Sequence, residues 1–395
     1  MAALDADPPV DNAALVSQPP ATARYPAIDA LRGVSILLVV LHHLAIRIPL
    51  RKTAAADVFP RWLLSALSYN GYEAVFIFFV ASGFLIAHHV FERSGRLSDV
   101  DVRDFYVRRF ARIAPCLLAL LAVLSAMHLL AVPSFTIDTS RQSLPWALLS
   151  ALGLQLNVYE GATGYLPGAW DVLWSLSIEE VFYLCFPWLC RLGRREWVLA
   201  AALGALALSL PFTRRAIQGN EIWLEKAYLP GMAGIATGVL AAMFLHRIGR
   251  LPRPWIFIAA GLAGMVAVLT AGNVLWKRLE DATMLILTLS TASFLLGASQ
   301  LRAARRETPG LLRSWGRLTY EIYLTHMFVV FTVVHVFRAA GGTLRTGFLW
   351  YLPLVVLAWL VGAAVARGFS LPMERWLRAR LLPRAPATAG LPTAR

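Results

Sequence analysis

Ten stretches of this sequence are apolar for long enough to cross the hydrocarbon core of a bilayer: 28–48, 72–91, 111–131, 172–190, 197–212, 228–245, 255–275, 282–300, 318–337 and 348–369. A helix needs roughly 17–25 such residues to span about 30 Å. Hydrocarbon holds no water to satisfy backbone N–H and C=O groups, so each stretch is expected as an α-helix. The fold class that follows is an all-α polytopic membrane protein with about ten transmembrane helices. A further run, Trp146–Leu156, is too short to span and is expected as a re-entrant or interfacial helix.

Composition agrees. AVILMFWYC residues make up 58% of the 395 residues and DEKR residues only 15%, against about 25% charged residues in a soluble chain. A chain this size cannot hide that much apolar surface from water, so lipid must cover part of it. Three cysteines (Cys116, Cys185, Cys190) exclude a disulfide scaffold and are expected as buried, inert thiols. Residues 1–24, rich in Ala, Pro and Asp, are expected as a disordered tail. The membrane domain is expected over 25–372, and 373–395 as a basic C-terminal tail.

The net charge of +14 is spread in short basic clusters between apolar runs. No basic stripe with interleaved aromatics appears, so a nucleic-acid partner is not expected. With the N-terminus in the cytoplasm, inside segments hold 24 basic residues and outside loops 12, while Arg32 lies within the first span. This bias predicts both termini in the cytoplasm. The first outer loop dissents with Arg47, Arg51, Lys52 and Arg61. Arg375, Arg378, Arg380 and Arg384 are expected to meet anionic membrane lipid.

Function is sought where the apolar runs carry groups that lipid excludes. A charge at the bilayer centre costs about 2.5–3.5 kcal/mol on insertion scales. The first span holds Asp29, Arg32, His42 and His43. Arg32 and His43 share a face but lie about 16 Å apart along the helix. Asp29, three residues before Arg32, is placed to pair with it. Glu179, in the fourth span, reaches about the same depth as His43 from the outer surface. A histidine and a carboxylate at one depth suit a general base and its orienter. Arg109 and Arg112 share a face at the inner end of the third span. They suit either interfacial anchoring or a fork for a polyphosphate. Tyr320, Tyr323 and His326 form one stripe on the ninth span, which also suits interhelical hydrogen bonding. The histidines have no metal-site spacing, and no metal is expected.

These residues carry a resemblance. IDALRGVSILLVVLHHL, with its arginine, ten residues, then histidine (Arg32, His43), resembles the first helix of the acyltransferase-3 family. FIFFVASGFLI, with Ser82, is similar to that family's second helix. FYVRRFARIAP matches the third at Arg109 and Arg112. LWSLSIEEVFYLCFP matches the fourth at Trp174 and Glu179, and LTYEIYLTH the late motif at Tyr320, Tyr323 and His326. The sequence departs from the family at Phe76, where an acidic residue is common, and at Ala74, where glycine is common.

The resemblance implies an integral-membrane O-acyltransferase of a bacterial inner membrane. It would move an acyl group, usually acetyl, from cytoplasmic acyl-CoA to a hydroxyl of a cell-surface or exported carbohydrate. His43, Glu179 and Arg32 would be the catalytic residues, with His43 the general base oriented by Glu179. Arg109, Arg112 and Ser82 would hold the donor. Three alternatives stay open: a lipophilic acceptor such as a macrolide, a proton-coupled transporter, and a non-catalytic membrane scaffold whose polar groups serve packing.

Overall fold

The computed structural model describes residues 25–137, 140–193, 195–301 and 310–382. The expected N-terminal tail, and 383–395 of the C-terminal one, lie outside the described residues. The chain opens with α1 (Pro26–Ala45), α2 (Ala55–Val58), α3 (Arg61–Tyr69), α4 (Gly71–Ser94) and α5 (Val102–Leu129). Short helices α6 (Leu144–Leu152), α7 (Leu156–Thr163) and α8 (Gly168–Asp171) lead into α9 (Leu173–Leu192). Then come α10 (Glu196–Leu208), α11 (Leu210–Ala216), α12 (Glu221–Lys226), α13 (Tyr228–Ile248), α14 (Pro254–Leu279) and α15 (Ala282–Ala298). The last are α16 (Leu311–Arg317), α17 (Thr319–Ala339), α18 (Tyr351–Val365) and α19 (Leu371–Leu381).

Helix covers every one of the ten apolar stretches, and the described residues hold no strand. Among the described residues, eight helical runs are long and apolar enough to cross a membrane. The stretch at 197–212 is instead a pair, α10 and α11, bent by 45°. Pro211 explains the break: it lacks an N–H, and its ring crowds the carbonyl one turn back. The stretch at 282–300 forms α15, 17 residues long. The short run at 146–156 becomes α6 and the start of α7, and does not span.

α1 packs against α3, α4, α16 and α17, so the helix carrying Arg32 and His43 is enclosed by neighbours. Small residues allow that closeness, as is usual where lipid gives helices no hydrophobic reason to associate. A Cβ on Gly33 would strike the Leu312 carbonyl of α16, and one on Gly316 the Asp29 carbonyl of α1. α4 meets α13 in the same way through Gly83 and Gly238, each against the other helix's backbone. Large apolar side chains that find no core face outward, including Trp255, Ile256, Leu262 and Val266 of α14. Cys116 and Cys190 are buried as expected, but Cys185 is exposed. It lies on the face of α9 that also presents Leu184, Trp188 and Leu189.

A π-helical turn over Ala366–Ser370 joins α18 to α19 and lays α19 against α5. α5 itself begins with an N-cap, Asp101, whose carboxylate accepts from the Arg103 and Asp104 amides. Gly83→Leu, which forces α4 off α13, should destabilise the protein by about 1–3 kcal/mol. Thermal unfolding in detergent would register this as a lowered midpoint, whereas the outward-facing Leu262→Ala should move it little.

Candidate active site

Two polar regions lie along the bundle. The first is a cavity of about 750 Å³, at the upper end of the range for small-molecule sites. It opens at the end of the bundle where Tyr25 begins α1, between α4, α5, α9, α17 and α19. Six arginines line it (Arg32, Arg93, Arg108, Arg109, Arg112, Arg378) against four carboxylates (Asp101, Asp104, Glu179, Glu374). Ser82 and Glu179 line its deep part, with Ser175, Tyr320 and Tyr323.

The deep part is a connected polar network. The Tyr183 and Ser82 hydroxyls share a hydrogen bond, and Ser82 is also hydrogen-bonded to Glu179. Arg109 lies over the Tyr183 ring, its guanidinium carbon 3.6 Å from the ring centre, beside both Glu179 and Glu180. Arg109 Nε and Glu180 Oε1 are buried without a hydrogen-bond partner. Arg32 lies within reach of the charges of Asp29, Glu179 and Glu321. Asp29 makes its ion pair with Arg317, at 3.6 Å, while its charge also acts on Arg32.

Arg109 and Arg112 both line the cavity but reach different partners. Arg112 points toward α17 and α19, where Glu321 lies at 2.8 Å and Glu374 at 3.3 Å. Glu321 is 1% exposed and also accepts from the Ser370 hydroxyl at 2.6 Å. Arg112 therefore fastens α5 to the end of the chain, and its ring neighbour Tyr320 donates to the Ile113 carbonyl at 2.8 Å.

The second region is a histidine pair nearer the other end of the bundle. The rings of His43 and His326 lie 5.1 Å apart, and neither residue lines the cavity. His326 Nδ1 is 2.7 Å from the Tyr323 carbonyl, which can only accept, so that nitrogen carries the proton. His326 Nε2 is buried and unpartnered. A neutral His326 thus presents a lone pair inside the bundle. Among the described residues His43 makes no side-chain hydrogen bond, and the partner expected for it, Glu179, is engaged instead with Ser82 and the arginines. Tyr323 separates the two regions. Its hydroxyl donates to the Val172 carbonyl at 2.8 Å and accepts from Ser175 at 2.7 Å, one face toward the cavity and His326 one turn on.

Beyond the histidines, Lys226 is buried between Glu160, at 2.9 Å, and Asp171. Its charge acts on His43. This trio fixes the 157–174 segment, whose Trp170 is fully buried rather than open to a ligand. Trp174 packs with Tyr72 and Phe79 and does not line the cavity. Arg93, Glu321, Glu374 and Tyr183 were missed from the sequence. Glu374 and Arg378 sit in what composition presents as a basic tail, and only the turn at 366–370 brings them to the cavity.

The acyltransferase domain of the acyltransferase-3 family matches residues 25–367, and the chain belongs to that family. It is 28% identical over 375 residues to the acyltransferase MdmB of Streptomyces mycarofaciens, covering 89% of this chain and 90% of that protein. It is 27% identical over 279 residues to nodulation protein 10 of Rhizobium leguminosarum bv. viciae, or 66% of this chain and 72% of that one. The O-acetyltransferase OatA of Staphylococcus aureus is 28% identical over 168 residues, 42% of this chain and 24% of OatA. No solved structure matches the chain. The protein is thus an integral-membrane acyltransferase.

Removing one member of a buried ion cluster strands the others. Lys226→Met should leave Glu160 and Asp171 facing each other and cost about 3–5 kcal/mol, read as a lowered unfolding midpoint. Glu160→Gln combined with Lys226→Met should recover part of that loss.

Proposed function

We propose that the protein transfers an acyl group, acetyl in the first instance, from acyl-CoA to a hydroxyl of a cell-surface or exported carbohydrate. The Tyr25 end of the bundle would face the cytoplasm of a bacterial inner membrane, in keeping with the excess of basic residues there. One observation above all supports this reading: an arginine-lined cavity open at that end reaches to within one helical turn of the His43–His326 pair.

In this mechanism the donor enters the cavity from the Tyr25 end. Arg32, Arg109 and Ser82 receive the pantetheine arm, with Glu179 holding the two guanidiniums in place. Arg32 is about 16 Å along α1 from His43, so it binds the arm and does not touch the reacting atoms. His43 is the general base. It takes the proton of the acceptor hydroxyl as the oxygen attacks the thioester carbonyl. The tetrahedral intermediate collapses to the ester and releases the thiolate, which recovers the proton from His43. His326, its tautomer set by the Tyr323 carbonyl, accepts a hydrogen bond through Nε2 and holds the acceptor or His43 in line. Tyr323 must shift to let the thioester pass, and breaking its two hydrogen bonds is the gating step.

A general base contributes about 10²–10⁴-fold in rate. His43→Ala should therefore lower acceptor-dependent release of coenzyme A from acetyl-CoA by that factor at equal amounts of folded protein in lipid. The acceptor panel should hold both glycans and a macrolide, since the productive one names the acceptor class. Full transfer by His43→Ala would remove it from the chemistry. Transport of a labelled glycan with no thioester turnover would favour the carrier.

A further inference from the structure

We propose that the nucleotide phosphates of the donor bind at the mouth of the cavity, on Arg93, Arg108 and Arg378, and that α19 is part of the donor site. The inference rests on the acyl-CoA reading above. It departs from the motif-based expectation that Arg109 and Arg112 hold those phosphates.

The charge arrangement carries the argument. Arg112 is saturated by Glu321, Glu374 and Ser370. Arg109 lies deep, over Tyr183. At the mouth the count is different. Arg93 and Arg108 share a single carboxylate, Asp104, at 3.0 and 2.7 Å. Arg378 and Arg112 share Glu374, at 2.5 and 3.3 Å. The guanidiniums of Arg378, Arg93 and Arg108 are close enough to repel one another, and Arg378 Nε is a buried donor with no partner. Asp101 also lines the cavity, but its carboxylate caps α5 on the Arg103 and Asp104 amides. Six arginines to four carboxylates leave an excess of cations that suits phosphate esters, which arginine engages through paired N–H donors.

The distances agree. From Arg93 to Ser82 the α4 helix rises about 16 Å, which leaves room for an extended pantetheine arm between a phosphate at the mouth and the network at Ser82. Glu374 and Arg378 stand past residue 367, where the family match ends. The π-helical turn and α19 bring them to the cavity.

The test is direct binding to the full-length protein in neutral-lipid nanodiscs. Coenzyme A is compared with pantetheine, which lacks the nucleotide, for wild type, Arg93→Ala and Arg378→Ala. Wild type should bind coenzyme A well above pantetheine. Each variant should weaken coenzyme A by about tenfold to a hundredfold, the value of a hydrogen-bonded charge contact, and so narrow the gap between the two ligands. Arg378→Lys should recover part of the loss by restoring the charge. The pantetheine arm reads any general loss of folded site. An unchanged ratio of the two affinities in both variants overturns the proposal. So does a loss of binding that appears only when phosphatidylglycerol is added, which would assign the arginines to lipid headgroups. Wild type that binds pantetheine and coenzyme A equally also overturns it. Wild type that binds neither overturns the acyl-CoA reading itself, and this inference with it.

Discussion

The pair of Arg112 with Glu321 ties together the parts of the molecule that enclose the cavity. Glu321 is almost wholly removed from solvent, and it accepts from an arginine of α5 and from Ser370 in the π-helical turn. Three segments meet at that carboxylate, α17, α5 and the turn, and Arg112 draws in α19 through Glu374. An ion pair in so dry a place is costly to form and costlier to break halfway. Its value lies in geometry. Without it α19 loses one of its ties to the helices around the cavity, beside its packing on α5 and the Arg112–Glu374 pair.

The helices were legible in the sequence because hydrocarbon leaves few choices. A stretch such as 72–91 or 318–337 has only one way to satisfy its backbone. The exceptions have local causes. Pro211 bends the fifth stretch, and α15 stops at 17 residues. The site was legible in part. Arg32, Ser82, Glu179, Tyr320 and Tyr323 gather at one cavity, and His43 meets His326. Their pairings were not legible. Depth along a helix axis can be counted from sequence, but rotation between neighbouring helices cannot. Equal depth alone therefore pairs His43 with Glu179, whereas α17 brings His326 to it. The partners of Arg112 were hidden for the same reason: they come from residues 321, 370 and 374, remote in sequence.

Glycine plays a separate part. The close approaches at Gly33 and Gly316 join α1 to α16, and those at Gly83 and Gly238 join α4 to α13, so they involve the helices that carry Arg32 and Ser82. The serine–glycine–phenylalanine run of α4 therefore combines two demands at adjacent positions. Ser82 takes part in the polar network, and Gly83 lets α13 press against α4 so that the network stays closed.

Tyr323 has a consequence for the membrane as a whole. Its hydroxyl is held on one side by a backbone carbonyl and on the other by Ser175, at the place where the arginine cavity stops short of the histidines. A water-filled passage continuing through that point would let protons run down the electrochemical gradient of the cell. Each elementary charge moved across 100 mV releases about 2.3 kcal/mol. A phenol ring held by two hydrogen bonds between the two polar regions would stand in the way of such a passage, while those regions stay within one helical turn of each other.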